Sequence, residues 1–403
     1  MWKSCPEMVI KNAWMDRCID KLFKLIYLIL ILTLNFSCVE KKSSKKEISE
    51  SEFVSPSKTD TLKFTSGIRS IFQDSKRNYW FGSHQEGVCL FDGKSFEYFT
   101  TNEGLSDNQI RSIQEDENGR IWFGTANGVS SYIEKIITNH TPIGYENPQS
   151  EWGKADNDLW FNAGNNAGLY RYDGQKLNYF AFPSPKIVNP DNSYFTTSLA
   201  EGKSEMLWIG TYAGIFGYNG DQFTVINDET LGLKKETWEL HVRSILEDSK
   251  GRLWIGNNGI GVLLFDNDTV INFSEKNNLI HPTSARNGDI SQQGTLEHIF
   301  AIEEDSDGNI WFGDRDTGAW KYDGKTITNY VIDKKLKSQM IWGIYEDQNK
   351  ILLVAMANGG VYQFDGESFD KMFWKRNTNA QQCIWNHSPL KGCYASYTKR
   401  YHQ

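Results

Sequence analysis

The chain has 403 residues, a net charge of −8 at neutral pH, 39% hydrophobic residues and 14 tryptophans. This acidic balance argues against nucleic acid as a partner, because binding to the phosphate backbone needs clustered lysine and arginine. The sequence contains no C-x-x-C pair, no H-E-x-x-H motif and no phosphate-binding loop, so it predicts neither a metal site nor a cofactor.

The first predicted element is a signal peptide over residues 1–37. Two lysines precede an apolar run over residues 25–34, which is short for a bilayer span and suits the core of a signal peptide. We expect a lipoprotein-type signal, with Cys38 as the lipid-modified first residue of the mature protein. Asn35 stands where such signals carry a leucine, which leaves an uncleaved signal anchor as the alternative. Met15 is a second candidate for the true start.

A flexible tether is predicted over residues 38–59. This stretch is charged, rich in serine and nearly free of large apolar side chains, and such a composition cannot bury enough apolar surface to form a core. We therefore expect a solvated linker between a lipid anchor and the folded part of the chain.

A phrase of about twenty residues then recurs along the chain. Residues 110–129 read "IRSIQEDENGRIWFGTANGV", and close copies are "IRSIFQDSKRNYWFGSHQEGV", "VRSILEDSKGRLWIGNNGIGV" and "IFAIEEDSDGNIWFGDRDTGA". Three weaker copies complete the series. The anchor positions are Trp80, Trp122, Trp160, Trp208, Trp254, Trp311 and Leu353. Their spacing of roughly 40 to 55 residues is typical of propeller blades.

Each unit divides into four short strands. Asp-Gly or Asn-Gly follows the third strand of most units, and these dipeptides form tight hairpin turns at little cost. No amphipathic pattern of helical length interrupts the series. The sequence therefore predicts an all-β fold, a seven-bladed β-propeller of four-stranded antiparallel blades over residues 60–376, followed by an irregular tail over residues 377–403.

Packing expectations follow from this architecture. The anchor tryptophan should fill the space between adjacent blades, since a blade cannot bury both faces alone. One aspartate recurs at a turn of most units, and we expect its carboxylate to cap backbone N–H groups there. The first strand of blade three matches the repeat poorly. Residues 60–67 resemble a fourth strand that pairs beside, or replaces, the last strand of blade seven.

The repeated phrase, followed by a strand ending in an aromatic residue and Asp-Gly, resembles the two-component regulator propeller repeat. The resemblance implies an extracytoplasmic sensor, because such repeats commonly form the sensor part of hybrid histidine kinases in Bacteroidetes-type bacteria and are associated with glycan sensing. No kinase, receiver or second membrane span is recognisable here, so we expect a binding module without its own kinase.

The predicted binding face is built by the loops between strands two and three and by the connections between blades. Polar and aromatic side chains recur there, and this mixture suits sugars, whose C–H faces stack on rings while hydroxyls bond to polar groups. The longest connection, residues 274–298, is expected on the same face. The predicted ligand-binding residues are His84, Glu86, Asn127, Asn165, Tyr212, Trp238, His241, Asn257, His281, Arg286, Asp314, Arg315 and Asn358.

We therefore expect a lipid-anchored propeller in the cell envelope, on the periplasmic side or at the outer surface, that recognises a glycan or a partner protein and has no catalytic residues. The alternative is a polysaccharide-degrading propeller, a lyase or hydrolase. The candidate residues for that chemistry are His84, His241, His281, Tyr212 and Arg315.

Overall fold

The structure is a computed structural model of the chain. It describes residues 57–59, 61–141, 151–164, 166–182, 194–202, 205–233, 240–266, 269–282 and 290–372. The predicted signal peptide, lipidation site and C-terminal tail lie outside these residues. Within the described part of the chain, no helix has the length and hydropathy needed to cross a lipid bilayer.

The described residues form twenty-eight strands and one short helix. The first three blades contain β1 (Ser57–Thr59), β2 (Ile68–Gln73), β3 (Tyr79–Ser83), β4 (Val88–Phe91), β5 (Phe96–Phe99), β6 (Ile110–Glu115), β7 (Ile121–Thr125), β8 (Gly128–Ile133), β9 (Ile136–Asn139), β10 (Leu159–Asn162), β11 (Gly168–Tyr172) and β12 (Leu177–Ala181). Blades four and five contain β13 (Thr196–Glu201), β14 (Leu207–Thr211), β15 (Gly214–Tyr218), β16 (Phe223–Asn227), β17 (Val242–Glu247), β18 (Leu253–Asn257), β19 (Val262–Asp266), β20 (Thr269–Asn272) and α1 (Phe273–Lys276). Blades six and seven contain β21 (Ile299–Glu304), β22 (Ile310–Asp314), β23 (Ala319–Tyr322), β24 (Ile327–Tyr330), β25 (Ile341–Glu346), β26 (Leu352–Met356), β27 (Val361–Phe364) and β28 (Phe369–Lys371).

Each blade is an antiparallel meander in which consecutive strands are neighbours. The first strands of adjacent blades contact one another, and β2 of blade one contacts β25 of blade seven. The seven-bladed β-propeller predicted from the repeats is confirmed, with first strands innermost. Blade three shows three strands among the described residues, in line with its poorly matched first strand.

The anchor tryptophans pack across the blade interfaces, as predicted. The ring of Trp80 in blade one lies 4.8 Å from Tyr132 and 5.5 Å from Phe123, both in blade two. Trp311 of blade six lies 4.9 Å from Phe364 of blade seven. Because these indoles are almost wholly buried, they supply much of the apolar area that holds neighbouring blades together.

The recurring aspartate caps its turn, also as predicted. Asp116 Oδ1 accepts hydrogen bonds from the backbone N–H groups of Asn118 and Arg120. Its second oxygen accepts the indole N–H of Trp122 at 2.8 Å, so one carboxylate ties the turn to the blade interface. The same arrangement occurs at Asp74, Asp248 and Asp305.

A serine–glutamate pair links neighbouring blades at the same edge. The backbone N–H and hydroxyl of Ser75 donate to the carboxylate of Glu115 at 2.7 and 2.6 Å, and equivalent contacts join Ser249 to Glu304 and Ser306 to Glu346. At the closure between blades seven and one, glutamines occupy both positions, with the N–H of Gln348 donating to Gln73 Oε1 at 3.1 Å.

The ring closes differently from the expectation for residues 60–67. Blade seven supplies its own four strands, and residues 61–67 form no strand. Instead, Phe64 is buried beside Leu353 and Val361 of blade seven. The last residues of the predicted tether form β1, which extends blade one by pairing with β5. Phe64 therefore connects the segment that enters blade one to blade seven, whereas β1 extends blade one alone.

Candidate functional site at the channel mouth

Six of the inner strands carry a β-bulge near their first residue. In β2 the pairing with β3 shifts between Ile68 and Ser70, so the residue between them has no partner. A bulge re-aims the side chain of the extra residue, and these strands surround the axis of the ring. We call the six bulge residues the channel mouth: they are Arg69, Arg111, Thr197, Arg243, Phe300 and Trp342.

Three of these residues are arginines that converge from blades one, two and five. The positive charges of Arg111 and Arg243 both act on Arg69, and Tyr212 of blade four acts on all three side chains. Residues so far apart in sequence meet because each bulge points toward the axis. We call Arg69, Arg111 and Arg243 the arginine cluster.

The arginine cluster has no ion-pair partner among the described residues. Burial, followed by repulsion from Arg111 and Arg243, lowers the pKa of Arg69 to about 10. Burial also lowers the pKa of Arg111 and of Arg243, and Asp107 offsets part of the effect at Arg111. All three guanidinium groups remain charged at neutral pH, which makes the cluster costly without a ligand.

Aromatic rings hold two of the three guanidinium groups, and Arg111 instead donates a hydrogen bond to Asn162 Oδ1 at 3.2 Å. Arg69 lies 4.9 Å from the ring centre of Trp342, and Arg243 lies 5.0 Å from Tyr212 and 4.9 Å from Phe300. These cation–π contacts occupy the flat faces of the groups. The N–H edges carry few hydrogen bonds, and Arg243 Nε has no partner. The remaining N–H groups of these guanidinium groups are therefore held in fixed orientations and are available to donate to a ligand.

Neutral imidazoles adjoin the cluster. Arg69 Nε donates to His84 Nδ1 at 2.9 Å, and since a guanidinium cannot accept, this nitrogen of His84 carries no proton. Burial, followed by the charges of Arg69 and Arg111, lowers the pKa of His84. Burial lowers the pKa of His241 to about 4, with Arg243 adding to the effect. Burial, followed by the charge of Arg315, lowers the pKa of His298 to about 4. Its Nε2 atom has no hydrogen-bond partner among the described residues.

The structure brings three of the sequence-predicted residues to this cluster. His84 bonds to Arg69 and packs edge-on against Trp342 at 5.0 Å. The Tyr212 hydroxyl accepts a hydrogen bond from Arg243 at 3.4 Å, and the His241 ring packs edge-on against Tyr212 at 4.9 Å. These residues share one end of the ring because the loop after each second strand lies beside the start of the first strand.

Other predicted residues make contacts within the fold. Glu86 accepts the backbone N–H groups of Thr65 and Ser66, which fixes the segment that enters blade one. Asn257 is fully buried and accepts the backbone N–H of His241. Asp314 is fully buried, which raises its pKa to about 6, and its oxygens accept four backbone N–H groups.

Four more predicted residues have their described contacts outside the arginine cluster. Arg315 pairs with Asp316 at 2.7 Å. The backbone N–H of His281 donates to Glu297 at 2.7 Å. Asn127 and Asn358 are exposed loop residues. The remaining predicted residues, Asn165, Trp238 and Arg286, lie outside the described residues.

The arginine cluster itself was missed by the sequence analysis, although the signal is present. The repeated phrase begins "IRS" at residues 68–70 and 110–112 and "VRS" at residues 242–244. An arginine is expected at an exposed strand position, and only the bulge turns it toward the axis. Among the described residues, no group of three or more histidine, cysteine or acidic side chains is placed to hold a metal ion.

Comparisons with solved structures agree with the fold. The extracellular domain of a proposed hybrid two component system from B. thetaiotaomicron is 24% identical, with a TM-score of 0.50 over 76% of this chain and 39% of that one. A second such domain is 21% identical, with a TM-score of 0.57 over 77% of this chain and 41% of that one. The chain thus spans about two fifths of these relatives.

Virginiamycin B lyase from Staphylococcus aureus shares the fold at 19% identity, with a TM-score of 0.53 over 76% of this chain and 97% of the lyase. Identities this low show the fold alone. No curated protein matches the chain in sequence.

The sequence also matches a family directly. Residues 104–127, 239–259 and 294–316 match the two component regulator propeller, and these stretches contain the phrases around Trp122, Trp254 and Trp311. Three repeats of this seven-bladed β-propeller are therefore similar to the two component regulator propeller.

Proposed function

We propose that this chain is an extracytoplasmic, lipid-anchored sensor module that binds a glycan or a partner protein at the channel mouth. The observation that carries the proposal is the arginine cluster, in which three buried like charges have no ion-pair partner among the described residues. A fold tolerates such a destabilising arrangement where function requires it. The family of the repeats and the extracellular domains that share the fold support the same role.

A second candidate, a polysaccharide lyase, is favoured by one constellation. The neutral imidazole of His241 packs against Tyr212, which bonds to Arg243. A neutral base beside a hydroxyl and a guanidinium suits proton abstraction next to a carboxylate that the guanidinium stabilises.

One experiment separates the two candidates. The full mature protein, kept in detergent, is incubated with a panel of neutral and acidic polysaccharides, and both bound ligand and chain cleavage are measured. Binding without new reducing or unsaturated ends supports the sensor module. Turnover that is lost in His241→Ala supports the lyase. Absence of binding both to the panel and to envelope proteins would contradict the proposed function.

A further inference from the structure

We propose that the ligand of the channel mouth is an acidic saccharide, whose carboxylate or sulfate lies within the arginine cluster. This inference rests on the proposed function and specifies the chemistry of its ligand. It starts from the charge balance of the site, in which three guanidinium groups from separate blades face the axis without an ion pair among the described residues.

The geometry favours an oxyanion over a neutral ligand. Guanidinium groups bind carboxylate and sulfate oxygens through charge-assisted hydrogen bonds, often two at a time. The rings of Trp342, Tyr212 and Phe300 cover guanidinium faces, so the edges remain for the ligand. Arg243 Nε is a buried donor without a hydrogen-bond partner among the described residues, which adds to the cost of the unliganded cluster.

The surroundings favour a saccharide as the carrier of that charge. Trp342, Tyr212 and the neutral rings of His84 and His241 lie around the cluster. Aromatic faces stack on the C–H surface of a sugar, while imidazole and phenol groups bond to its hydroxyls. A bare inorganic anion would bind to the guanidinium groups alone and would make no contact with these aromatic and imidazole side chains.

The test compares an acid with its neutral ester. Binding of oligogalacturonate and of its methyl ester to the full mature protein is measured by calorimetry, with galactose 6-sulfate against galactose as the sulfate arm and inorganic sulfate as the bare anion. We expect the acid to bind at least about tenfold more tightly than the ester, since hydrogen bonds to charged groups are worth that much or more. Arg111→Gln should weaken acid binding by about tenfold and ester binding by clearly less, so that the preference for the acid shrinks.

Arg77→Gln is the matched control. It removes the same charge from an exposed turn at the opposite end of β2, and we expect acid binding to be retained. Equal affinity for acid and ester, or equal losses in Arg111→Gln and Arg77→Gln, would overturn the inference while leaving a neutral-ligand or protein-binding module intact. Inorganic sulfate binding as tightly as the acidic sugars would show that the saccharide part is wrong.

Discussion

The indole N–H of Trp122 donates to Asp116, six residues earlier, and the same carboxylate caps two backbone N–H groups of the turn. This contact links local structure to packing, because it holds a turn and orients the ring that fills the next blade interface. In blade four a glycine, Gly202, stands at the aspartate position, and Glu247 of blade five accepts the Trp208 indole N–H at 2.6 Å instead. The spacing predicts the first arrangement, whereas the second depends on a residue from another blade.

Replacing Asp116 by alanine should destabilise the fold strongly. The change leaves two turn N–H groups and a nearly buried indole without an acceptor, and we expect a loss of about 3 kcal/mol. Asp173→Ala is the control, because Asp173 caps only an exposed hairpin turn, and its loss should be about 1 kcal/mol. Urea unfolding measures both, and equal midpoints for the two variants would contradict the role assigned to Asp116.

Glu303 gives the fold a pH dependence at the same scale. Burial, and secondarily the carboxylates of Glu346 and Glu304, raise its pKa from the ordinary 4.5 to about 8. The unfolded chain releases this proton above about pH 4.5, whereas the folded chain keeps it, so the group costs stability as the pH rises from about 4.5 to 8. The cost is at most about 1.4 kcal/mol for each pH unit in this window.

Glu303→Gln should remove that cost. We expect its thermal midpoint to equal that of the unmodified protein near pH 4 and to exceed it increasingly up to about pH 8. The control is Glu117→Gln at an exposed turn, which should show no such trend. A difference that stays constant from pH 4 to pH 8 would show that Glu303 is ionised in the folded protein.

At the scale of the strand, the β-bulge determines which side chain of the repeat points toward the axis of the ring. It leaves one residue unpaired near the start of the six described first strands and points it toward the axis, so that "IRS" presents an arginine to the channel mouth. Strand order, hairpin turns and the buried tryptophans follow from the periodicity of the sequence. The bulge does not, because its signal is the same alternation of apolar and polar residues as in a regular strand.

The destabilising effect of the unpaired positive charges in the arginine cluster can be tested without a ligand. Arg111→Glu places a carboxylate near Arg69, and it should raise the thermal midpoint by about 2 °C or more despite the nearby Asp107. The same variant should lose binding of acidic sugars, because its own carboxylate replaces that of the ligand. A lowered midpoint would indicate that Arg111 stabilises the fold and that the cluster is already compensated.

At the scale of the whole molecule, the described residues repeat one hydrogen-bonded pair at three of the seven blade interfaces and replace it at the closure. Serine–glutamate pairs join blades one to two, five to six and six to seven, whereas Gln348 and Gln73 meet between blades seven and one. The sequence predicts seven blades from spacing alone. It does not predict that Phe64 packs beside blade seven or that β1 extends blade one, since these residues precede the first full repeat.

Attachment to the membrane is a separate prediction at this scale. If Cys38 carries the lipid, Cys38→Ala should move the protein from the membrane fraction to the soluble fraction of the envelope, with the ring still folded. Ser37→Ala serves as the control and should remain in the membrane fraction. Retention of Cys38→Ala in membranes would favour an uncleaved signal anchor.

The most direct measurement is a crystal structure of the protein with bound oligogalacturonate. We predict a seven-bladed ring in which one carboxylate of the ligand lies within hydrogen-bond distance of Arg69, Arg111 and Arg243, with a sugar ring against Trp342 or Tyr212. A ligand bound elsewhere on the ring, or three arginines pointing away from the axis, would contradict the account.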